Sequence, residues 1–434
     1  MDPMADEWEN QKCLTWRMLY RFARMLMWVT FNIFFKRIDV VGLDKLQKGK
    51  PSILIANHPA SFLDAMVLAV FLRRPLYFYV RGDIFNHPLA YKILTILHMI
   101  PIYSQEHGTG ILERNKRTFD RGRELLQSGK MLLIFPEGFS RQSKQLETFK
   151  KGAARVALQT AFGDGFHGDL LIQTVAINYT FHNRGAHLFI RVGENMMLEP
   201  YREAYLTFPA QAVNRLTAEM ERLFAQNVIH VAKGVDTDHA EFLISMLYHQ
   251  PDFNPEHFFD QAQTICQTLG SMDESSYREK RDILTNYRFR LMKYPLDDFS
   301  LSQPVLASRE KTMLIILFPI FLIGAVLGAV PLMVSRWIAV KTVTRIDFHT
   351  SVYSGVMGVL GLIWWVLILT IAGVLGGMPW LIVALLTPFY FLGAWQWWKL
   401  RERSSAARRF NQYNNQDPQF VRGLLQVRQQ LILE

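Results

Sequence analysis

The chain has 434 residues, 50% of them hydrophobic and 13% aromatic, and 48 Lys plus Arg against 38 Asp plus Glu leave a net charge of +10. That length allows more than one domain at roughly 150 residues each. A basic, aromatic-rich chain suits nucleic acid or an anionic lipid surface. Here no nucleic-acid motif occurs and the charges sit beside apolar segments, so a membrane surface is expected and nucleic acid is not. Cys13 and Cys266 alone supply thiols, which excludes a disulfide scaffold and a zinc site, and no metal is expected.

The first residues are acidic and polar, and no cleavable signal is expected. Arg17, Arg21 and Arg24 recur at helical spacing on one side of Leu14 to Phe35, while Met18, Leu19, Met25, Leu26, Trp28, Val29 and Phe31 make the rest apolar. Residues 1–45 are therefore predicted as an interfacial amphipathic helix, arginines toward phosphates and Trp28 toward acyl chains. A soluble helix packed on the following domain is the alternative.

Ser52 to Ala56 is a short, β-branched apolar run and predicts a buried strand that delivers Asn57 and His58 to its carboxyl end; Pro59 then interrupts regular structure. Phe62 to Leu72 predicts a helix with Ser61 as N-cap and Asp64 in its first turn, where the carboxylate can fold back toward His58. Such a carboxylate fixes one imidazole tautomer and leaves the other ring nitrogen free to accept a proton. These are two members of a catalytic triad without a nucleophile, and the substrate's own hydroxyl would be the third. Met131 to Phe135 predicts another strand, ended abruptly by Pro136-Glu137-Gly138, which sets a carboxylate at the same sheet edge as His58. Leu76 to Val80, Leu171 to Asn178 and His187 to Val192 are further strands, with helices at Pro88 to Met99 and Ile111 to Ser128, so the alternation argues for an α/β domain over residues 46–200.

Asn57, His58 and Asp64, followed by Phe135-Pro136-Glu137-Gly138, resemble the blocks of the glycerolipid acyltransferase superfamily, the group of glycerol-3-phosphate and lysophosphatidic acid acyltransferases. Thr174 to Tyr179 matches a further block loosely, without its proline. The resemblance covers roughly residues 15–200. It implies a mixed sheet flanked by helices and a one-step transfer with no acyl-enzyme. His58 would be the general base, Asp64 its orienting partner, and Glu137 with Gly138 would help bind the acceptor. No cofactor is implied; acyl-CoA or acyl carrier protein would be the co-substrate. Two departures bear on the phosphate site. Ser104 and Gln105 stand where many members carry an arginine, and Phe139-Ser140-Arg141 follows Gly138 in place of Thr-Arg. Arg81, Arg141 and Lys150 are then the expected phosphate-binding cations.

Residues 201–308 read as a charged helical extension, with amphipathic helices at Phe208 to Lys233 and Ser275 to Lys293 and histidines too scattered to suggest a metal. Residues 309–400 carry three apolar segments, Met313 to Val334, Gly355 to Leu375 and Pro379 to Trp398, each about 20 residues and long enough for a hydrocarbon core of roughly 30 Å. Basic residues flank the first on both sides and follow the third, in the tail of residues 401–434, whereas Gly376-Gly377-Met378 carries none. The positive-inside rule makes the last two a hairpin with its tip outside. The first, with Pro319, Gly324, Gly328 and Pro331, is expected to break into a re-entrant or in-plane hairpin. The expectation is an integral membrane O-acyltransferase at the cytoplasmic face, acting on glycerol 3-phosphate or a lysophospholipid in phospholipid biosynthesis, with a slight lean to the former. An enzyme for a non-phosphate lipid, such as an amino-acid lyso-lipid, and a non-enzymatic membrane scaffold are the alternatives.

Overall fold

The computed structural model describes residues 14–47, 49–72, 74–103, 111–163, 166, 168–180, 184–250, 253–302 and 308–433; Cys13, Ser104 and Gln105 lie outside them. After helix α1 (Leu14–Phe34) come strands β1 (Arg37–Val41) and β2 (Ser52–Ala56), helix α2 (Phe62–Phe71), β3 (Leu76–Arg81), α3 (Pro88–Ile96), β4 (Met99–Ile102), α4 (Ile111–Gln127), β5 (Met131–Ile134), α5 (Gly152–Phe162), β6 (Leu171–Tyr179) and β7 (His187–Met197). They form one seven-stranded mixed sheet of order β1-β7-β6-β2-β5-β3-β4, in which only β6 and β7 are antiparallel.

β2 is buried at every position, as a central strand covered on both faces must be. Its alternate residues enter two cores. Leu54 and Ala56 join Leu133, Val175 and Ile177 beneath α1 and α2; Ile53 and Ile55 join Leu132, Ile172 and Ala176 beneath α4 and α5. Two strands were not expected. β1 alternates Arg37 and Asp39, hydrogen-bonded to one another at 2.6 Å, with half-buried Ile38 and Val40, so its apolar signal is thin, yet it pairs with β7 at the edge of the sheet. β4 contains Pro101 and follows directly on a helix whose pattern was read through Met99.

Arg24 departs from the expectation for the N-terminal arginines. Arg24 donates from Nε and Nη2 to the Val70 carbonyl, at 3.0 and 2.8 Å, and from Nη2 to that of Leu72. It caps the carboxyl end of α2, where the last carbonyls lack intrahelical donors, so it faces protein and not a lipid phosphate. Tyr20, Phe31, Ile33 and Phe34 are buried, whereas Leu14, Met18, Phe22, Met25 and Trp28 remain exposed.

Beyond the sheet, α6 (Arg202–Thr207), α7 (Pro209–Ala225), α8 (Thr237–Tyr248), α9 (Pro255–Ser271), α10 (Glu274–Lys293) and α11 (Asp298–Ser302) make the helical extension. They share a core with the C-terminal α17 (Pro418–Leu433), in which Asp298 accepts from Tyr287 Oη and Arg428 Nε, each at 2.8 Å, and lies 2.8 Å from His249 Nδ1. Between lie α12 (Ser308–Ile316), α13 (Phe318–Thr342), α14 (Ile346–Ile371), α15 (Gly377–Leu385) and α16 (Thr387–Gln416). Two stretches, Phe318–Thr342 and Phe348–Leu385, are long and apolar enough to cross a membrane by length and composition. The second folds back at Gly376-Gly377: Gly377 has φ 68°, and Trp365 Nε1 donates to the Ala384 carbonyl at 2.9 Å, a meeting impossible along a straight helix.

Met313 to Val334 is divided at Leu317, beside Pro319, but the break expected from Gly324, Gly328 and Pro331 does not occur, because α13 is continuous from Phe318 to Thr342. Pro319 sits in the first turn, where its missing N–H costs nothing. Pro331 deprives the Leu327 carbonyl of its donor, and the Trp364 indole supplies one at 2.7 Å. Gly324 and Gly328 face α16 instead of bending the helix: a Cβ at Gly324 would lie 2.3 Å from the Tyr390 carbonyl oxygen.

Candidate active site

Every expected motif residue sits at the carboxyl edge of the parallel strands. Asn57, one residue past β2, extends the ladder with its side chain: Nδ2 donates to the Ile177 carbonyl and Oδ1 accepts from the Ile177 amide, both at 2.8 Å. His58 follows, its ring stacked on Phe135 with centroids 3.9 Å apart. Its Nδ1 lies 3.0 Å from Asp64 Oδ2, the geometry of an N–H donor to a carboxylate. Asp64 is fully buried and accepts two more hydrogen bonds, from the Ala60 amide at 2.8 Å and from Tyr179 Oη at 2.9 Å. Burial pushes its carboxyl above the usual range and these donors pull against it. Burial and the adjoining carboxylate hold Tyr179 well above its ordinary value, so it remains a donor.

The turn between His58 and Asp64 is strained. Ser61 has φ 52° and ψ −132°, a region scarcely open to a residue with a side chain, and it makes no side-chain cap, contrary to the sequence expectation. Contacts from three directions hold it. The Ser61 amide donates to Ser140 Oγ at 2.8 Å. The Arg141 amide donates to the His58 carbonyl at 3.1 Å. Ser351, on α14, donates from Oγ to the Ala60 carbonyl at 2.5 Å and accepts from the Leu63 amide at 3.1 Å.

Glu137 is 7% exposed, accepting from the His58 amide at 3.1 Å and from the Glu147 amide at 3.4 Å. It ties the two motifs together and lines the same pocket as His58. Burial outweighs these donors and raises its carboxyl to about 7. Gly138 has φ 78°, a conformation that favours glycine, and a Cβ there would press on the flexible Lys150 side chain, Nζ at 2.7 Å.

The expected cations part company. Arg141 lines the pocket, its guanidinium 2.7 Å from Glu147 Oε1. Lys150 stands beside Gly138 with Nζ 5.5 Å from the Phe139 ring centroid. Arg81 ends β3, does not line the His58 pocket and pairs with Asp83 at 2.8 Å, mostly exposed. Sequence reasoning missed Lys144, which lines the pocket, donates to the Tyr179 carbonyl at 2.7 Å and lies 3.5 Å from Glu241. It also missed the roles of Tyr179 and Ser351, residues 115 and 287 positions beyond Asp64.

Residues 37–178 match the family model described as Acyltransferase. These residues form an acyltransferase domain by that match, and its motifs are similar to those of the glycerolipid acyltransferase superfamily. The chain is 29% identical over 136 residues to a chloroplastic 1-acyl-sn-glycerol-3-phosphate acyltransferase of Arabidopsis thaliana, covering 31% of this chain and 36% of that protein. It is 27% identical over 136 residues to the Brassica napus chloroplastic enzyme of that name, covering 31% and 38%. With a probable 1-acyl-sn-glycerol-3-phosphate acyltransferase of Mycoplasma pneumoniae it shares 24% over 142 residues, covering 32% and 51%. The chain thus spans between about a third and a half of the curated relatives it matches. The crystal structure of the 1-acyl-sn-glycerophosphate acyltransferase from Thermotoga maritima aligns at TM-score 0.35 with 18% identity, covering 48% of this chain and 81% of that one.

Proposed function

We propose that the protein transfers a fatty acyl group from a thioester of coenzyme A or acyl carrier protein to the free hydroxyl of a lysophosphatidate, at the cytoplasmic face of a membrane. The observation that carries this reading is the His58 and Asp64 pair in a pocket where, among the described residues, no serine or cysteine is hydrogen-bonded to the imidazole. Nδ1 is committed to Asp64, so Nε2 is the proton acceptor. As the acceptor hydroxyl attacks the thioester carbonyl, its proton passes to Nε2; Asp64 stabilises the imidazolium. The tetrahedral intermediate then collapses, the carbon–sulfur bond breaks, and the thiolate leaves as a thiol with that proton. An ester and a thiol result, with no acyl-enzyme.

Glu137 and Gly138 shape the wall beside His58, and Arg141, with Lys144, offers positive charge there for a substrate phosphate; Lys150 adds to it from beside Gly138, and Arg81 does so only at a distance. The curated relatives are all named for 1-acyl-glycerol 3-phosphate, which favours lysophosphatidate over glycerol 3-phosphate. The apolar stretches of α13 to α16 support attachment to a membrane. Purified full-length protein in vesicles, given acyl donor and lysophosphatidate, should form phosphatidate, and His58→Ala should lower the rate about 10²- to 10⁴-fold with unfolding unchanged. An acylated protein trapped during turnover, or near-normal turnover without His58, overturns the mechanism.

A further inference from the structure

Apart from the catalytic pocket, a cavity of about 530 Å³ opens between α1 and the apolar helices α13, α14 and α16. Its walls are aliphatic and aromatic side chains with glycines, Gly358 and Gly361 among them, and Arg184 is the one charged residue among those described that lines it. This space lies outside residues 37–178, the stretch that the family model matches.

Two observations tie it to the catalytic edge. Arg184 stands in the connection that leaves β6, five residues after Tyr179, the residue whose hydroxyl holds Asp64. Its guanidinium carbon lies 4.4 Å from the ring centroid of Trp395, itself a wall residue. On α14, Met357 and Gly358 line the cavity about two turns, or roughly 10 Å, beyond Ser351, which holds the His58 turn; Trp365 lines it about 20 Å beyond. The apolar space therefore starts near the catalytic residues and runs away from them along α14, with its one cation at the near end.

Such a space fits a lipid with one hydrocarbon chain and an anion a few bonds from it. A thioester of coenzyme A or a carrier protein fits less well, because its phosphates lie across the thioester from the chain. We propose that this cavity is the acceptor-chain site: it receives the hydrocarbon chain of a lysophosphatidate, with Arg184 against the phosphate. This rests on the acyl-transfer reading, and it leaves Arg141 and Lys144 for a phosphate of the donor.

The test uses the full-length enzyme in vesicles with hexanoyl and palmitoyl lysophosphatidate, and separately with short- and long-chain acyl donors. A Cβ at Gly361 meets nothing within 4 Å and Gly361 lines the cavity, so Gly361→Leu adds bulk there from an open position. It should lower kcat/KM about tenfold for the palmitoyl acceptor while the hexanoyl acceptor stays within about twofold. Arg184→Gln should raise KM for lysophosphatidate about 10- to 100-fold, the loss of a charge-assisted contact, and leave the KM of the donor unchanged. A loss that follows donor chain length, or falls equally on both acceptors, or does not occur, overturns the proposal. In parallel, palmitoyl lysophosphatidate with a photoreactive group at its chain end should label residues 357–365 in His58→Ala protein and not in the Gly361→Leu form. Absence of that labelling, or labelling that ordinary bilayer lipid suppresses equally well, overturns the cavity assignment. Absence of transfer to any acceptor while labelling persists overturns only the acyl-transfer reading.

Discussion

Ser351→Ala removes a hydroxyl that belongs to a membrane-type helix yet touches the backbone between His58 and Asp64. The Ser351 side chain makes two contacts, to the Ala60 carbonyl at 2.5 Å and from the Leu63 amide at 3.1 Å, in a site where it is 3% exposed. The Leu63 amide also lies 3.2 Å from the Ala60 carbonyl oxygen, so neither group is left without any partner. The stability loss should therefore sit near the low end of the roughly 1 to 3 kcal/mol expected when a buried partner is removed. The catalytic loss should be larger in proportion. The turn contains Ser61 at φ 52°, and relaxation of such a strained residue moves the Asp64 carboxylate relative to the ring it orients, where about 1 Å can cost about 10²-fold. We expect kcat to fall roughly 10- to 100-fold, KM for either substrate to change less than about threefold, and Ser351→Thr to recover most of the rate. Steady-state kinetics with thermal unfolding of the same preparations decides the matter. A kcat within twofold of wild type, or equal losses in the Ala and Thr variants, would refute the role of the hydroxyl.

Tyr179→Phe takes one of three donors from Asp64 while leaving the ring packed; it should lower kcat about 3- to 10-fold with KM nearly constant, the worth of one hydrogen bond, and an unchanged kcat would show the phenol to be structural. Glu137 titrates at about 7 in the folded chain against 4.5 for the free side chain. The folded state then holds the proton more tightly, so the corresponding stability is fully present below pH 4.5 and is lost as pH rises toward 7, by roughly 3 kcal/mol. Wild type should therefore lose thermal stability relative to Glu137→Gln across that interval, and parallel unfolding temperatures would contradict it. Arg24→Ala leaves the Val70 and Leu72 carbonyls without their side-chain donor and should destabilise the domain by about 1 to 3 kcal/mol, seen as a lower unfolding midpoint; no shift would mean that water replaces the guanidinium.

The site was legible where chemistry is local in sequence. Asn57, His58 and Asp64 lie within eight residues at the end of one strand, and Glu137 ends a second, so apolar runs followed by a proline or glycine were enough to place them at one edge. The strands that escaped notice are short and peripheral: β1 pairs only with β7, and β4 only with β3. Partners fixed by tertiary packing carry no such signal, since nothing near Tyr179 or Ser351 in the chain marks either as reaching Asp64 or Ala60. Prolines and glycines misled for a related reason. A proline removes a donor, and whether the helix breaks depends on a neighbour such as Trp364, 33 residues away.

The contacts of α13 bear on how the apolar helices sit. Its forward neighbour α12 pairs through Glu310 with Arg403 on α16, and the adjoining Glu402 pairs with Lys36 at the start of the sheet at 2.8 Å. Just past its other end, the Ile346 carbonyl accepts from Gln142 in the catalytic loop at 2.9 Å, five residues before Ser351 reaches Ala60. The chain on both sides of this roughly 37 Å helix is thus tied to residues of the sheet domain, while the α14 and α15 hairpin turns at Gly376-Gly377. Helix α14 brings Ser351 to the turn between His58 and Asp64 and also carries Met357, Gly358 and Trp365 of the cavity wall, so that one element shapes both.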